Sequence, residues 1–88
     1  MQTIFVMVKC DLGQAYNVAS DAVEKVDHIS EVHSISGQFD LMMKCYLDDD
    51  QDIGHFVTEK VQLLPGVKDT FTLITFKAFA SSSVSVVR

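Results

Sequence analysis

At 88 residues the chain can build one domain, and a core of that size only marginally offsets the conformational entropy lost on folding. Its formal net charge is −5, and its seven Lys and Arg stand singly rather than as a stripe, which argues against direct contact with nucleic acid. Hydrophobic residues make up 48% of the chain with a mean hydropathy of +0.20, more apolar surface than one small core hides, yet no apolar run approaches the roughly twenty residues a membrane helix needs.

Residues 3–9 open the chain as a strand that is apolar on both sides, with Ile4, Val6 and Val8 on one face and Phe5 and Met7 on the other. From Gly13 the period changes. Ala15, Val18, Ala19, Ala22, Val23 and Val26 recur at helical spacing, and the helix ends near Asp27-His28. A short strand is expected over 32–36, closed by Gly37, and a third over 39–47. Asp48-Asp49-Asp50 then supplies carboxylates for a helix N-terminus, and Ile53, Phe56, Val57, Val61 and Leu64 define the apolar face of a second helix. Pro65-Gly66 ends that helix, and residues 67–77 read as a fourth strand.

The order β-α-β-β-α-β is two copies of one strand-helix-strand unit, with Pro65-Gly66-Val67 repeating the setting of Ile29 to Val32. Two right-handed crossovers give an α+β, ferredoxin-like domain over residues 1–80, a four-stranded antiparallel sheet with both helices on one face. The tail, 81–88, is either loose or a short extra strand over Val84 to Val87 that pairs with a neighbouring chain. The second sheet face would carry Phe5 and Met7, with Met42 and Tyr46 or Met43 and Cys45, and Phe71 and Leu73 or Ile74 and Phe76. Water solvates such a face poorly, so a homodimer packed sheet to sheet is expected.

Chemistry is sparse. His28, His33 and His55 lie in three different elements without zinc spacing, so no metal and no cofactor is expected. Cys10 and Cys45 lack a CxxC motif, and no secretory signal precedes them, which fits two thiols in a reducing cytoplasm. The Asp48 to Asp52 cluster lacks the ligand pattern of a calcium loop and reads as helix capping. Met42, Met43, Phe71 and Phe76 are assigned to packing. Gly37-Gln38-Phe39-Asp40 supports two readings. One is a plain turn in which Asp40 accepts backbone N–H groups. The other is an amino-acid pocket, with N–H groups at Gly37 and Gln38 for a carboxylate, Asp40 for an ammonium and Phe39 as an apolar wall.

The run Val32-His33-Ser34-Ile35-Ser36-Gly37-Gln38-Phe39-Asp40, together with Leu64-Pro65-Gly66-Val67 followed by Thr70 and Thr72, resembles the effector-binding (RAM) domain of the Lrp/AsnC transcription regulators over nearly all of residues 1–80. The resemblance implies sheet-to-sheet dimers assembled into an octameric ring, and a small effector, usually an amino acid, bound where dimers meet. It points to Gly37, Gln38, Phe39 and Asp40 as ligand-binding residues, with His33, Thr70 and Thr72 beside them. Ser36 replaces a usual Thr, and Phe39 replaces a common Tyr and so lacks a hydroxyl. Because the chain starts at the first strand of that domain, it is similar to members without the helix-turn-helix, which implies action through assembly or through full-length regulators of the same type. The rival expectation is a small dimeric α+β barrel enzyme such as a monooxygenase; a purely structural assembly module is a third.

Overall fold

The computed structural model describes residues 1–81, so the strand expected over Val84 to Val87 lies outside the described residues. Four strands, β1 (Gln2–Cys10), β2 (Ile29–Ser34), β3 (Leu41–Leu47) and β4 (Val67–Ile74), form one sheet in the order β2-β3-β1-β4. Every neighbouring pair is antiparallel. Helix α1 (Ala15–Lys25) links β1 to β2, and α2 (Ile53–Phe56) followed by a π-helical turn, Val57–Val61, links β3 to β4. The ferredoxin-like arrangement read from the sequence is the arrangement observed.

Strand β1 is central, and its alternation organises the molecule. Ile4, Val6 and Val8 are fully buried against the helices, and register places Leu41, Met43 and Cys45 of β3 on the same face. Val18 and Ala22 of α1 and Phe56, Val57 and Val61 of the second helical segment close over them. Each such aliphatic contributes about 1.5–3 kcal/mol on leaving water, so this layer is where folding free energy is concentrated.

The register also decides between the two readings of the outer face. Met7 stands opposite Met42 and Phe71, and Phe5 opposite Lys44 and Leu73. The outer set is therefore Phe5, Met7, Met42, Tyr46, Phe71 and Leu73, while Met43, Cys45 and Ile74 belong to the helix side. Phe71 and Leu73 remain 54% and 44% exposed.

Several boundaries differ from the sequence reading. Strand β2 starts at Ile29, whose side chain is buried, and stops at Ser34. Strand β3 starts at Leu41 because residues 35–40 form the connecting loop, in which Ile35 N–H donates to Asp40 O at 2.9 Å. Strand β4 ends at Ile74, so Phe76, expected to pack, is fully exposed. The second helix is not one continuous α-helix. Phe56 and Val57 are both buried, and Val61 four residues on is buried too. Widening to an i→i+5 bond, Gln62 N–H to Val57 O at 2.8 Å, keeps all three toward the sheet. Its cap comes from the last member of the Asp48 to Asp52 cluster read as capping: Asp52 Oδ1, rather than a carboxylate of Asp48 to Asp50, accepts from His55 N–H at 3.3 Å.

Gly66 shows why that turn needs glycine. Its φ is +94°, and a Cβ there would lie 3.0 Å from both Gln14 Cβ and Val18 Cγ2. The turn presses onto the start of α1, and Gly66 O accepts from Asp11 N–H at 2.8 Å.

Candidate functional site

The loop joining β2 to β3 is built around one glycine and one aspartate. Gly37 has φ +108°, a conformation that L side chains rarely adopt, and nothing lies within 4 Å of where its Cβ would be. Its side is open, so backbone conformation rather than crowding selects glycine. The N–H groups of Gly37 and Gln38 have no protein acceptor among the described residues, while Gln38 O accepts from Lys9 Nζ at 3.3 Å.

Asp40 has a structural task. Its Oδ2 accepts from Cys10 N–H at 2.8 Å, and its own N–H donates to Val8 O at 2.9 Å. These two bonds hold the loop to the end of β1, where a register shift between Lys9 and Cys10 interrupts the ladder to β4. Asp40 therefore satisfies the backbone group that the irregularity would leave without a partner. The carboxylate also joins burial and Asp11 in pushing the Cys10 thiol upward, burial being the larger cause, so Cys10 is held as a neutral thiol.

Phe39 turns onto the outer sheet face and stacks on Phe71, with ring centroids 6.1 Å apart and planes 23° from parallel. Gly37, Gln38, Phe39 and Asp40 thus stand together, joined by Lys9, Cys10 and Phe71, which the sequence reading had not placed there. Phe71 is half-exposed platform rather than hidden packing. Its alternation with Leu73 allowed that placement, but the partner ring is thirty-two positions away and leaves no local signal.

The remaining expected residues lie elsewhere. His33 is on the outer face of β2, exposed and paired with Glu31 through Nε2. Thr70 and Thr72 stand opposite Val8 and Val6, on the helix side of β4 and away from the Phe39–Phe71 stack. Thr70 Oγ1 accepts from Gln62 Nε2 at 2.9 Å and lines a shallow concavity of about 340 Å³ with Gln62, Lys68 and Asp69. His28 meets Phe56 edge to face at 5.9 Å, and His55 lies 3.6 Å from Glu59. Among the described residues no group of three or more His, Cys, Asp or Glu side chains is placed to hold a metal ion. Cys10 and Cys45 are both free and buried, and burial pushes the Cys45 thiol up to about 12. No helix among the described residues is long and apolar enough to cross a membrane.

The described residues thus form a small antiparallel α+β domain, apolar on its uncovered sheet face and carrying an open glycine loop. The chain belongs to the Lrp/AsnC ligand binding domain family, which it matches over residues 3–84. It is similar to an uncharacterised HTH-type transcriptional regulator of Pyrococcus abyssi, 28% identical over 76 residues covering 84% of this chain and 51% of that protein. It is also similar to the leucine-responsive regulatory protein of Escherichia coli K12, 29% identical over 87 residues covering 97% of this chain and 53% of that protein. The chain thus spans about half the length of these curated relatives. Among solved structures, a Thermus thermophilus protein superposes with TM-score 0.81 at 28% identity, covering 92% of this chain and all of that one. A Neisseria meningitidis transcriptional regulator in complex with L-methionine shares the fold, with TM-score 0.77 at 19% identity over 96% of this chain and 56% of that one.

Proposed function

We propose that this domain binds a small molecule, an amino acid, at the Gly37 loop and serves transcription regulation of the Lrp/AsnC type in the cytoplasm. The observation that carries the reading is the pair of N–H groups at Gly37 and Gln38, without an acceptor among the described residues, next to the Phe39–Phe71 stack, in a chain whose family is a ligand-binding one. The N–H groups suit a carboxylate, and the ring pair supplies an apolar wall. Asp40 retains Oδ1 for an ammonium, because only Oδ2 serves Cys10. His33 borders the same face, and Thr70 and Thr72 belong to the site only if a neighbouring subunit presents them to the ligand. The methionine held by the Neisseria regulator supports an amino acid as the ligand class.

The apolar outer face supports a homodimer packed sheet to sheet, built further into an octameric ring, with full-length Lrp/AsnC-type regulators as further partners. Binding rather than catalysis is supported by the layer between sheet and helices, where the fully buried side chains Ile4, Val6, Met43, Val18 and Val61 are all apolar.

A thermal-shift panel of the twenty amino acids tests the reading. A ligand present at 100 times its Kd adds about 2.7 kcal/mol of stability. The expected result is a selective rise in Tm that disappears in Asp40→Asn, which keeps an oxygen for Cys10 N–H but loses the charge. No rise with any amino acid overturns it.

A further inference from the structure

The β2–β3 loop lies among carboxylates. Asp40 is fastened to Cys10 N–H, Asp11 is near enough to help push the Cys10 thiol upward, and Asp69 stands opposite Lys9 across the β1–β4 ladder. In a chain of net charge −5, an anion brought to the N–H groups of Gly37 and Gln38 is repelled by these side chains. Two backbone N–H groups carry only partial charge, and the loop has no cation of its own between Ile35 and Asp40. Recognition of a carboxylate there therefore needs a positive group supplied by another element.

Lys9 is placed to be that group. It is exposed and stands on the same side of β1 as Phe5 and Met7, the side onto which Phe39 turns to meet Phe71. Its directly opposed neighbour on β4 is Asp69, the partner that a lysine ordinarily takes across two antiparallel strands. Among the described residues no ion pair joins the two. Lys9 Nζ instead lies on Gln38 O at 3.3 Å, and Asp69 Oδ1 accepts from Thr70 N–H at 2.9 Å. The ammonium is thus held at the loop by a neutral acceptor. Nζ carries three donors and uses one on Gln38 O, so two remain for a ligand without the side chain having to leave. A carboxylate that takes the Gln38 N–H comes within reach of an ammonium already tethered to the same residue's carbonyl.

We propose that Lys9 is the carboxylate-pairing residue of the Gly37 site, so that the ligand is selected as a zwitterion, with its carboxylate between Lys9 and the N–H groups of Gly37 and Gln38 and its ammonium on Asp40 Oδ1. The inference rests on the amino-acid reading given above and adds to it the source of its charge selectivity. An amine without a carboxylate forgoes Lys9. An acid without an amine keeps Lys9 but is repelled by Asp40. Each is rejected for an electrostatic reason, one by a missing attraction and the other by an added repulsion. Lys9 belongs to the central region of the sheet, on β1, so the selecting charge is rooted in a rigid strand while the N–H groups sit on the loop.

Calorimetric titration of the full chain tests it. The native protein, Lys9→Gln and Lys9→Arg are each titrated with every L-amino acid that raises the native Tm, and with the α-amide of that amino acid. The amide keeps the ammonium and the side chain but loses the α-carboxylate charge, and at about pH 6 its amine stays protonated. The expected result for the acid is a rise in Kd of about three- to tenfold in Lys9→Gln, between what an exposed ion pair and a hydrogen bond to a charged group provide. Lys9→Arg, which keeps the charge, is expected to hold the native Kd within about twofold. The amide is expected to bind the native chain more weakly than the acid, and Lys9→Gln to leave that weaker binding unchanged. An acid Kd in Lys9→Gln equal to the native one overturns the inference while leaving the amino-acid reading standing. So does amide binding as tight as that of the acid, or an equal loss for acid and amide, which would mean that Lys9 only fastens the loop. A native chain that none of the twenty amino acids stabilises overturns both.

Discussion

Asp40 and Cys10 lie thirty positions apart and are joined by a 2.8 Å hydrogen bond from the Cys10 N–H to Asp40 Oδ2. The bond fastens the β2–β3 loop to the strand at the centre of the sheet, at the point where that strand loses register with β4. One carboxylate therefore shapes the loop and, in the proposed function, also faces a ligand, so its two roles must be separated by chemistry rather than by deletion.

Asp40→Ala removes the acceptor and leaves a partly buried N–H unpaired, and is expected to cost about 1–3 kcal/mol in urea denaturation without any ligand. Asp40→Asn keeps an oxygen in place and is expected to cost under about 1 kcal/mol. If the two variants are equally destabilised, the Cys10 bond is not what Asp40 supplies.

Gly37 and Gly66 offer a comparison in which backbone strain and crowding come apart. Both have positive φ, but a Cβ at Gly37 meets nothing within 4 Å, whereas at Gly66 it meets Gln14 and Val18 at 3.0 Å. Gly37→Ala is expected to cost about 1–2 kcal/mol from conformation alone, and Gly66→Ala about 1–3 kcal/mol more from displaced packing of α1. Equal losses by chemical denaturation would mean that the α1 contact yields freely.

Much of this fold is legible in the chain because the core is written with two clean periods. Ile4, Val6 and Val8 alternate up to the turn at Gly13, and Val18, Ala22 and Val26 repeat at helical spacing up to Asp27-His28. The second helix misleads because Phe56, Val57 and Val61 fit an α-helical stripe almost as well as the π turn that forms; only the shape of the sheet beneath decides. At the site, the glycine, the aromatic and the acid were visible as a cluster. Their partners Cys10, Lys9 and Phe71 were not, since a bond between positions thirty apart depends on register, which no local pattern encodes. Thr70 and Thr72, which the family resemblance adds to the loop residues, face the other side of the sheet within one chain.

The Phe39–Phe71 stack is expected to show a coupling of about 0.5–1.5 kcal/mol in a double-mutant cycle built from Phe39→Ala and Phe71→Ala, read by urea denaturation. Additive losses would show that the rings are neighbours without mutual stabilisation. Phe39→Tyr restores a hydroxyl at the ring edge and is expected to leave stability within about 0.5 kcal/mol, so any change in ligand preference would report on the site itself.

Cys45 gives the fold an alkaline limit. Its side chain is fully buried in β3, and burial raises its thiol from an ordinary value of 9.0 to about 12. A raised value means that the folded state holds the proton more tightly than the unfolded one. The resulting stability is complete below pH 9, falls as the unfolded thiol ionises above it, and is spent once pH passes about 12. At about 1.36 kcal/mol per pH unit the loss reaches at most about 4 kcal/mol. The informative quantity is the difference between the native chain and Cys45→Ala, measured by urea midpoint at several pH values. The variant starts lower because of its cavity, by an amount independent of pH, and the gap is expected to narrow steadily above pH 9. A constant gap up to pH 11 would mean that the thiol reaches water and ionises within the folded protein.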